Sequence, residues 1–256
     1  MSPFLSWKTA LTAMADFAFP RTCLACGRRL EPDERDLCGD CRADLPLTRY
    51  SRMSHNPMAD RFNARLQERL DLLPDAPFEP YAYASALFFY SSESPYSAIT
   101  KHLKYGRGFG AGRRFAAMLG EELAASPLFG DVDLVVPVPL HFSRRWKRGY
   151  NQAEIISKEV ARVLGAAHDP GLLRRSRRTR TQTALSVEEK MKNVSGAFTV
   201  PGMRRKKPLP QCRHILLLDD VFTTGSTLAA CHAALREFFP AKVRISAAAL
   251  AYTGEY

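Results

Sequence analysis

The 256-residue chain is long enough for one sizeable α/β domain and a small additional module. Hydrophobic residues make up 46% of it, which supports a packed core. It contains no run of 18 apolar residues, so we expect no transmembrane helix and no membrane insertion. The net charge of +11 is unusual for an ordinary metabolic enzyme and indicates a polyanionic or phosphate-rich partner.

A short helix is predicted at the N-terminus, over residues 1–19. Its apolar side chains are spaced to dock on the body of the protein: Leu5, Leu11, Met14 and Phe17. The stretch contains one lysine, the acidic Asp16 and no convincing cleavage site, so we do not interpret it as a signal peptide. We therefore expect the protein in the cytoplasm.

Four cysteines form two CxxC pairs, Cys23 with Cys26 and Cys38 with Cys41. Each pair can place two thiolates on one tight turn, and the two turns together supply four sulfur ligands for a tetrahedral zinc ion. Two disulfides are the alternative, which requires an oxidising compartment. A redox CxxC normally follows a strand in a thioredoxin-like unit. We predict a zinc-ribbon module over residues 20–48, with structural zinc and no open coordination position.

The rest of the chain is predicted to be a linker followed by an α/β domain. Residues 49–80 are polar and contain several prolines, which indicates a linker with one helix at 60–73. From residue 81 to 256, strand-like and helical patterns alternate. The strands fall at 85–90, 133–137, 197–200, 215–218 and 243–251, and the helices at 95–103, 112–125, 151–164 and 226–238. This order predicts a parallel sheet flanked by helices on both faces.

Two polar segments follow predicted elements of this domain. HLKYGRG at 102–108 follows the first helix, and a lysine beside glycines can offer an ammonium and backbone amides to a pyrophosphate. A helix C-cap with a lysine at the negative end of the dipole fits the same residues. In the second segment, 137–153, Arg148 can contact a phosphate through two parallel hydrogen bonds. Asn151 in the same segment also suits a helix N-cap.

Positive charge is concentrated in three clusters, at 144–148, 174–180 and 204–207. The third lies among prolines and a glycine and is typical of a solvated loop. The first two suit phosphate contacts. Aromatic residues are interleaved with or adjacent to the first cluster: Phe142, Trp146 and Tyr150. Basic and aromatic side chains in this combination are typical of surfaces that bind single-stranded nucleic acid.

The segment ILLLDDVFTTGSTL at 215–228 carries the clearest chemistry. An apolar strand runs into Asp219 and Asp220, and a loop of hydroxyl residues and one glycine leads into a helix: Thr223, Thr224, Gly225, Ser226 and Thr227. Unpaired N–H groups and the helix dipole favour an anion there, which predicts a nest for one phosphate group. The loop lacks the lysine and glycine spacing of a Walker A motif.

The two carboxylates would repel a phosphate and are better placed to accept hydrogen bonds from the hydroxyls of a ribose. One phosphate beside ribose hydroxyls describes a ribose 5-phosphate group. The alternative is a strand that ends in a solvated acidic turn, with threonine and serine capping the helix.

This segment resembles the phosphoribosyl-pyrophosphate (PRPP) binding motif of type I phosphoribosyltransferases. With the CxxC pairs, the segment 135–153 and TQTALSVEEKMKNVSGAF at 181–198, the chain resembles the ComF family, which is associated with DNA uptake in competent bacteria. The resemblance extends from Cys23 to Tyr252. It implies a type I phosphoribosyltransferase fold with an N-terminal four-cysteine zinc ribbon, and PRPP bound together with Mg²⁺.

The resemblance also implies roles for individual residues. Asp219 and Asp220 form the catalytic pair, and PRPP is bound by residues 223–227 together with Lys104, Gly106 and Arg148. Residues 172–190 resemble a mobile lid that closes over PRPP. The family usually has arginine three positions before the asparagine of its NV pair, whereas this chain has Lys190 before Asn193, so a bidentate contact is lost there.

Two functions are compatible with these residues. One is transfer of a 5-phosphoribosyl group to an acceptor that the sequence does not identify. The other is binding of single-stranded DNA without turnover.

Overall fold

Parallel strands form the centre of the protein. The computed structural model describes residues 21–71, 78–105, 109–140, 149–175, 197–202 and 212–254. Within these ranges the strands of the main sheet are β1 Ala84–Phe89, β2 Leu134–Pro137, β3 Ala167–His168, β6 His214–Phe222 and β7 Arg244–Tyr252. Their order in the sheet is β1-β7-β6-β2-β3, and all the strand pairs are parallel. The predicted parallel α/β sheet is confirmed. Two short strands, β4 Arg174–Arg175 and β5 Phe198–Thr199, form a separate antiparallel pair. The strand predicted at 197–200 therefore lies outside the parallel sheet, because it pairs with β4, and β3 is the fifth strand of that sheet.

Helices cover both faces of this sheet. In the described ranges they are α1 Gly39–Ala43, α2 Pro57–Leu70, α3 Ser97–Tyr105, α4 Phe109–Ala124, α5 Gln152–Leu164 and α6 Ser226–Arg236. Helices α2 and α6 share one apolar core with one face of the sheet. Helices α3, α4 and α5 pack on the other face, together with apolar residues of the cysteine module. None of these described helices has the length and apolarity needed to cross a membrane.

Helix α2 begins three residues earlier than the predicted helix at 60–73. The side chain of Asn56 accepts a hydrogen bond from the backbone N–H of Ala59 at 2.9 Å, and Pro57 occupies the first helical position. Both are standard signals for a helix start. Phe62 and Leu66 lie buried in the core, so this helix is packed against the sheet.

Strand β6 is longer than the predicted strand at 215–218. Its pairing with β7 continues beyond Asp219 to Phe222, which lies opposite Tyr252. Carboxylates disfavour strands when propensity is judged alone, but pairing with a neighbouring strand overrides that preference. Asp219 and Asp220 therefore lie within the last part of β6 rather than after it.

Residues 46–48 line the open edge of the sheet. The backbone N–H of Phe89 donates to the carbonyl oxygen of Pro46 at 2.8 Å, and that of Thr48 donates to Leu87 at 3.0 Å. Leu47 and Phe88 form an antiparallel bridge. Because β1 is an edge strand of the main sheet, this segment satisfies backbone groups that would otherwise be open to another chain.

Candidate functional site

The four cysteines of the predicted ribbon converge on one point. Their sulfur atoms all lie within 4.8 Å of one another, and those of Cys26 and Cys38 are 3.8 Å apart. A tetrahedral zinc ion with Zn–S bonds of about 2.3 Å has sulfur atoms about 3.8 Å apart. Cys23, Cys26, Cys38 and Cys41 thus fit a structural zinc ion.

The backbone around the cysteines favours metal binding. Gly27, at φ +74°, closes the first turn by donating its N–H to the carbonyl of Cys23 at 2.9 Å. Burial opposes ionisation of Cys23, but hydrogen bonds, chiefly from the backbone N–H groups of Cys26 and Cys38, outweigh it and lower the pKa of Cys23 to about 6. A thiolate is the form that binds a metal. Burial, followed by the neighbouring thiols, raises the pKa of Cys41.

The ribbon is fixed to the body by the side chains of Arg114 and Tyr96. Arg114 of α4 forms a two-pronged ion pair with Asp36, with Nη2 2.6 Å from Oδ1. Tyr96, directly before α3, donates its hydroxyl to the carbonyl oxygen of the ligand residue Cys41 at 3.0 Å. Folding of the ribbon is therefore linked to the position of α3, the helix that contains Lys104.

The predicted phosphate nest lies between β6 and α6. Gly225 has φ +78° and occupies the N-cap position of α6, so that position has no side chain to cap the helix. The hydroxyl oxygens of Thr224 and Ser226 are 3.0 Å apart, and the N–H of Ser226 lies 3.4 Å from Oγ1 of Thr224. The first turn of α6 thus presents N–H groups and hydroxyls at one end of the helix, where its dipole is positive.

The acidic pair lies at the same end of the sheet. Asp219 and Asp220 are half-buried, and Oδ1 of Asp219 accepts the N–H of Asp220 at 2.8 Å. Burial, together with the negative charge of Asp219, raises the pKa of the Cys231 thiol on α6. The carboxylates and the nest thus belong to one strand–loop–helix unit at the carboxyl edge of the sheet, where α/β proteins bind ligands.

Residues that follow β2 approach the same edge. The amide of Asn151 donates to the carbonyl oxygen of Val138 at 3.0 Å and makes no cap hydrogen bond to α5. Asn151 thus occupies the predicted N-cap position of α5, but its side chain bonds to the end of β2 instead of capping the helix. Tyr150 donates its hydroxyl to the carbonyl oxygen of Leu103 at 2.6 Å, which brings the start of α5 to the end of α3.

Several predicted site residues fall outside the described residues. These are Gly106, Arg148, the side chain of Lys104 and most of the lid at 172–190. Their roles stay predictions. Of the second basic cluster, Arg174 and Arg175 are described, and the Arg175 guanidinium lies 5.2 Å from the centre of the Phe198 ring.

Sequence reasoning missed two arginines beside the nest. Arg61 and Arg65 of α2 donate hydrogen bonds to carbonyl oxygens of the loop, those of Thr223 and Thr224. They lie four residues apart, on one face of the helix that the sequence predicts within the linker. This four-residue spacing of two arginines on a predicted helix is the sequence signal that could have pointed to them.

The fold and the cysteine cluster define a class of protein. A parallel sheet of five strands with helices on both faces, joined to a four-cysteine ribbon, is consistent with a type I phosphoribosyltransferase-like fold carrying an N-terminal zinc ribbon. Residues 14–52 match the double zinc ribbon domain.

Relatives confirm the resemblance found in the motifs. Competence protein F of Haemophilus influenzae is 32% identical over 137 residues, which are 52% of this chain and 58% of that protein. DNA utilization protein YhgH of Salmonella typhi is 34% identical over 138 residues, 53% of this chain and 58% of that protein. The chain thus spans less than two thirds of the length of these relatives.

Proposed function

We propose that the protein binds PRPP with Mg²⁺ at the carboxyl end of β6 and transfers its 5-phosphoribosyl group. One observation carries this proposal: two carboxylates and the uncapped start of a helix share one strand–loop–helix unit. A phosphate suits the helix start and ribose hydroxyls suit the carboxylates. The acceptor of the group is not specified by these residues.

Different residues of the site bind different parts of PRPP. The N–H groups and hydroxyls of residues 223–227 bind the 5-phosphate, and Asp219 and Asp220 accept hydrogen bonds from the ribose hydroxyls. As the bond from C1 of the ribose to pyrophosphate breaks, the carboxylates stabilise the positive charge that develops on the ring, and the acceptor then bonds to C1. Mg²⁺ would be held mainly by the oxygens of PRPP, and when bound it would supply positive charge that offsets the charge of the leaving pyrophosphate. Positioning supplies most of the rate enhancement.

We expect the double variant Asp219→Asn, Asp220→Asn to lose PRPP binding. Hydrogen bonds to charged groups contribute about 1.5–3 kcal/mol each, so two of them correspond to a loss of affinity of at least about 100-fold. Calorimetric titration of PRPP in the presence of Mg²⁺ measures it. Asp71→Asn serves as the control, because Asp71 is an exposed carboxylate that accepts a hydrogen bond from Gln67 and lies just beyond the end of α2. Unchanged binding in the double variant would end the assignment to ribose hydroxyls.

Binding and turnover are separated by a second assay. Pyrophosphate release from PRPP is followed in the presence of a panel of nucleobases and amines. Release that depends on one acceptor class establishes transfer and identifies the acceptor.

A second candidate function, binding of single-stranded DNA, is favoured by the names of the two relatives, which link them to competence and DNA utilization. We propose that the protein acts in DNA uptake and that its basic clusters at 144–148 and 174–180 contact DNA phosphates. About four such contacts predict a roughly 50-fold loss of affinity between about 50 and 200 mM salt. Fluorescence anisotropy with a labelled oligonucleotide measures this loss. Salt-independent binding, or none, would contradict the proposal.

A further inference from the structure

Helix α2 reaches the loop of the nest through two arginine side chains. Arg61 donates through Nη1 to the carbonyl oxygens of Thr223 at 3.3 Å and Thr253 at 3.2 Å. Arg65 donates through Nε to the carbonyl oxygen of Thr224 at 3.3 Å. Arg61 thus contacts backbone oxygens that follow the carboxyl ends of β6 and β7, and Arg65 contacts one that follows β6.

Both guanidinium groups are held by further contacts. Arg65 also donates to both carboxylate oxygens of Glu68 at 2.7 Å, one turn further along the helix. Arg61 lies over the ring of Tyr252, 5.5 Å from its centre. The helix itself is anchored by buried residues such as Phe62, which lies between the two arginines in sequence. The donors therefore approach the loop from a fixed direction.

Because of the geometry of the peptide bond, these contacts fix the direction in which the N–H groups of the loop point. In a trans peptide the carbonyl of one residue and the N–H of the next point in opposite directions, and the described residues contain no cis peptide. Carbonyls of Thr223 and Thr224 that point towards α2 aim the N–H groups of Thr224 and Gly225 away from it. Gly225 has a left-handed backbone conformation, and Ser226 after it is helical. These two conformations in succession bring neighbouring N–H groups together.

The positive charge of the two arginines also favours a phosphate at the nest. The nest lies next to two carboxylates on β6, and these repel a phosphate dianion. The guanidinium groups of Arg61 and Arg65 offset that repulsion, although both are accessible to solvent, which weakens their effect. Orientation of the N–H groups is therefore the larger contribution.

We propose that Arg61 and Arg65 are positioning residues that hold the nest ready for a phosphomonoester, such as the 5-phosphate of ribose 5-phosphate. This rests on the proposed function, and it makes α2 part of the ligand site. It predicts a selective defect: a ligand that needs the nest is affected, whereas free pyrophosphate with Mg²⁺, which occupies the other half of a PRPP site, is not.

The test is the double variant Arg61→Met, Arg65→Met, which removes the donors and keeps most of each apolar stem. We expect ribose 5-phosphate to bind about 10- to 100-fold more weakly, because two orienting hydrogen bonds are lost, while the affinity for pyrophosphate with Mg²⁺ is unchanged. Arg162→Met is the matched control, since Arg162 of α5 is exposed and pairs with Glu159 three residues away, as Arg65 pairs with Glu68. Calorimetry measures each affinity, and the thermal midpoint of each variant reports folding.

Each outcome decides between the proposals. A wild-type protein that binds neither PRPP nor ribose 5-phosphate overturns the proposed function and this inference together. If the wild type binds and the double variant binds equally well, or loses both ligands equally, only the positioning role is overturned. If the double variant unfolds early, Arg65→Met alone, whose loop contact is to Thr224, is expected to show the same split at about 3- to 10-fold.

Discussion

Replacing Cys38 by serine is expected to abolish stoichiometric zinc binding and to unfold the ribbon. Cys38 is 1% exposed and its sulfur belongs to the four-sulfur cluster, so no other side chain can take its place without rearrangement. A module of this size buries few apolar side chains of its own and depends on a metal or on disulfides. Structural zinc contributes about 10–16 kcal/mol to folding of such modules at neutral pH, which exceeds what the remaining contacts supply.

We expect unfolding of the ribbon to affect the α/β body as well. The segment after the ribbon lines the edge of β1 through Pro46 and Thr48, and Tyr96 bonds to the carbonyl of Cys41. Loss of the ribbon exposes that strand edge to pairing with other chains. We therefore expect the Cys38→Ser protein to aggregate more readily than the wild type.

Metal analysis and limited proteolysis check this result. The wild type should carry about one zinc ion per chain, as a four-sulfur site requires, and the variant close to none. Trypsin should cut the variant rapidly at the arginines of the ribbon. Cys212→Ser is the control, because Cys212 is half-buried and lies outside the cluster. A metal-free wild type with oxidised cysteines, or an equally resistant Cys38→Ser protein, would refute the zinc assignment.

The sequence allowed the cluster and the sheet to be predicted because both depend on local patterns. Two CxxC pairs bring their own thiolates together on tight turns, and an apolar run such as 215–218 has the length and composition of a buried strand. The chain order of strands and helices then limits the topology. These features require no knowledge of distant contacts.

What the sequence did not reveal depends on partners far along the chain. Strand β6 continues through Asp219 because β7 pairs with it, and Asn151 bonds to Val138 because β2 ends beside the start of α5. Arg61 contacts Thr223 across 162 positions. The last of these contacts arises from packing of α2 and α6 on one face of the sheet, and no local pattern specifies any of the three.

Gly225→Ala is expected to destabilise the protein and to weaken binding of ribose 5-phosphate. Gly225 has φ +78°, and a methyl group there would lie 2.7 Å from Cζ of Phe222. The left-handed conformation costs a non-glycine residue about 1–2 kcal/mol, and the overlap adds about 1–3 kcal/mol. Phe222 is 1% exposed and its ring packs against that of Tyr252, so it has little room to move. The loop can relieve the strain by turning its peptides, which reorients the N–H groups of the proposed nest.

Gly165→Ala separates these two causes. Gly165 ends α5 with φ +66°, and a methyl group there would have no atom within 4 Å. It should carry only the backbone cost of about 1–2 kcal/mol and leave binding unchanged. Urea unfolding of both variants measures the difference in stability, and calorimetry with ribose 5-phosphate measures affinity, which should fall at least about tenfold for Gly225→Ala if two or more N–H donors are misdirected. Equal losses of stability in the two variants would show that the Phe222 ring moves aside. If instead Gly225→Ala lost more stability than Gly165→Ala and its affinity for ribose 5-phosphate were unchanged, the phosphate would not bind at the proposed nest, because the strained loop would have turned those N–H groups.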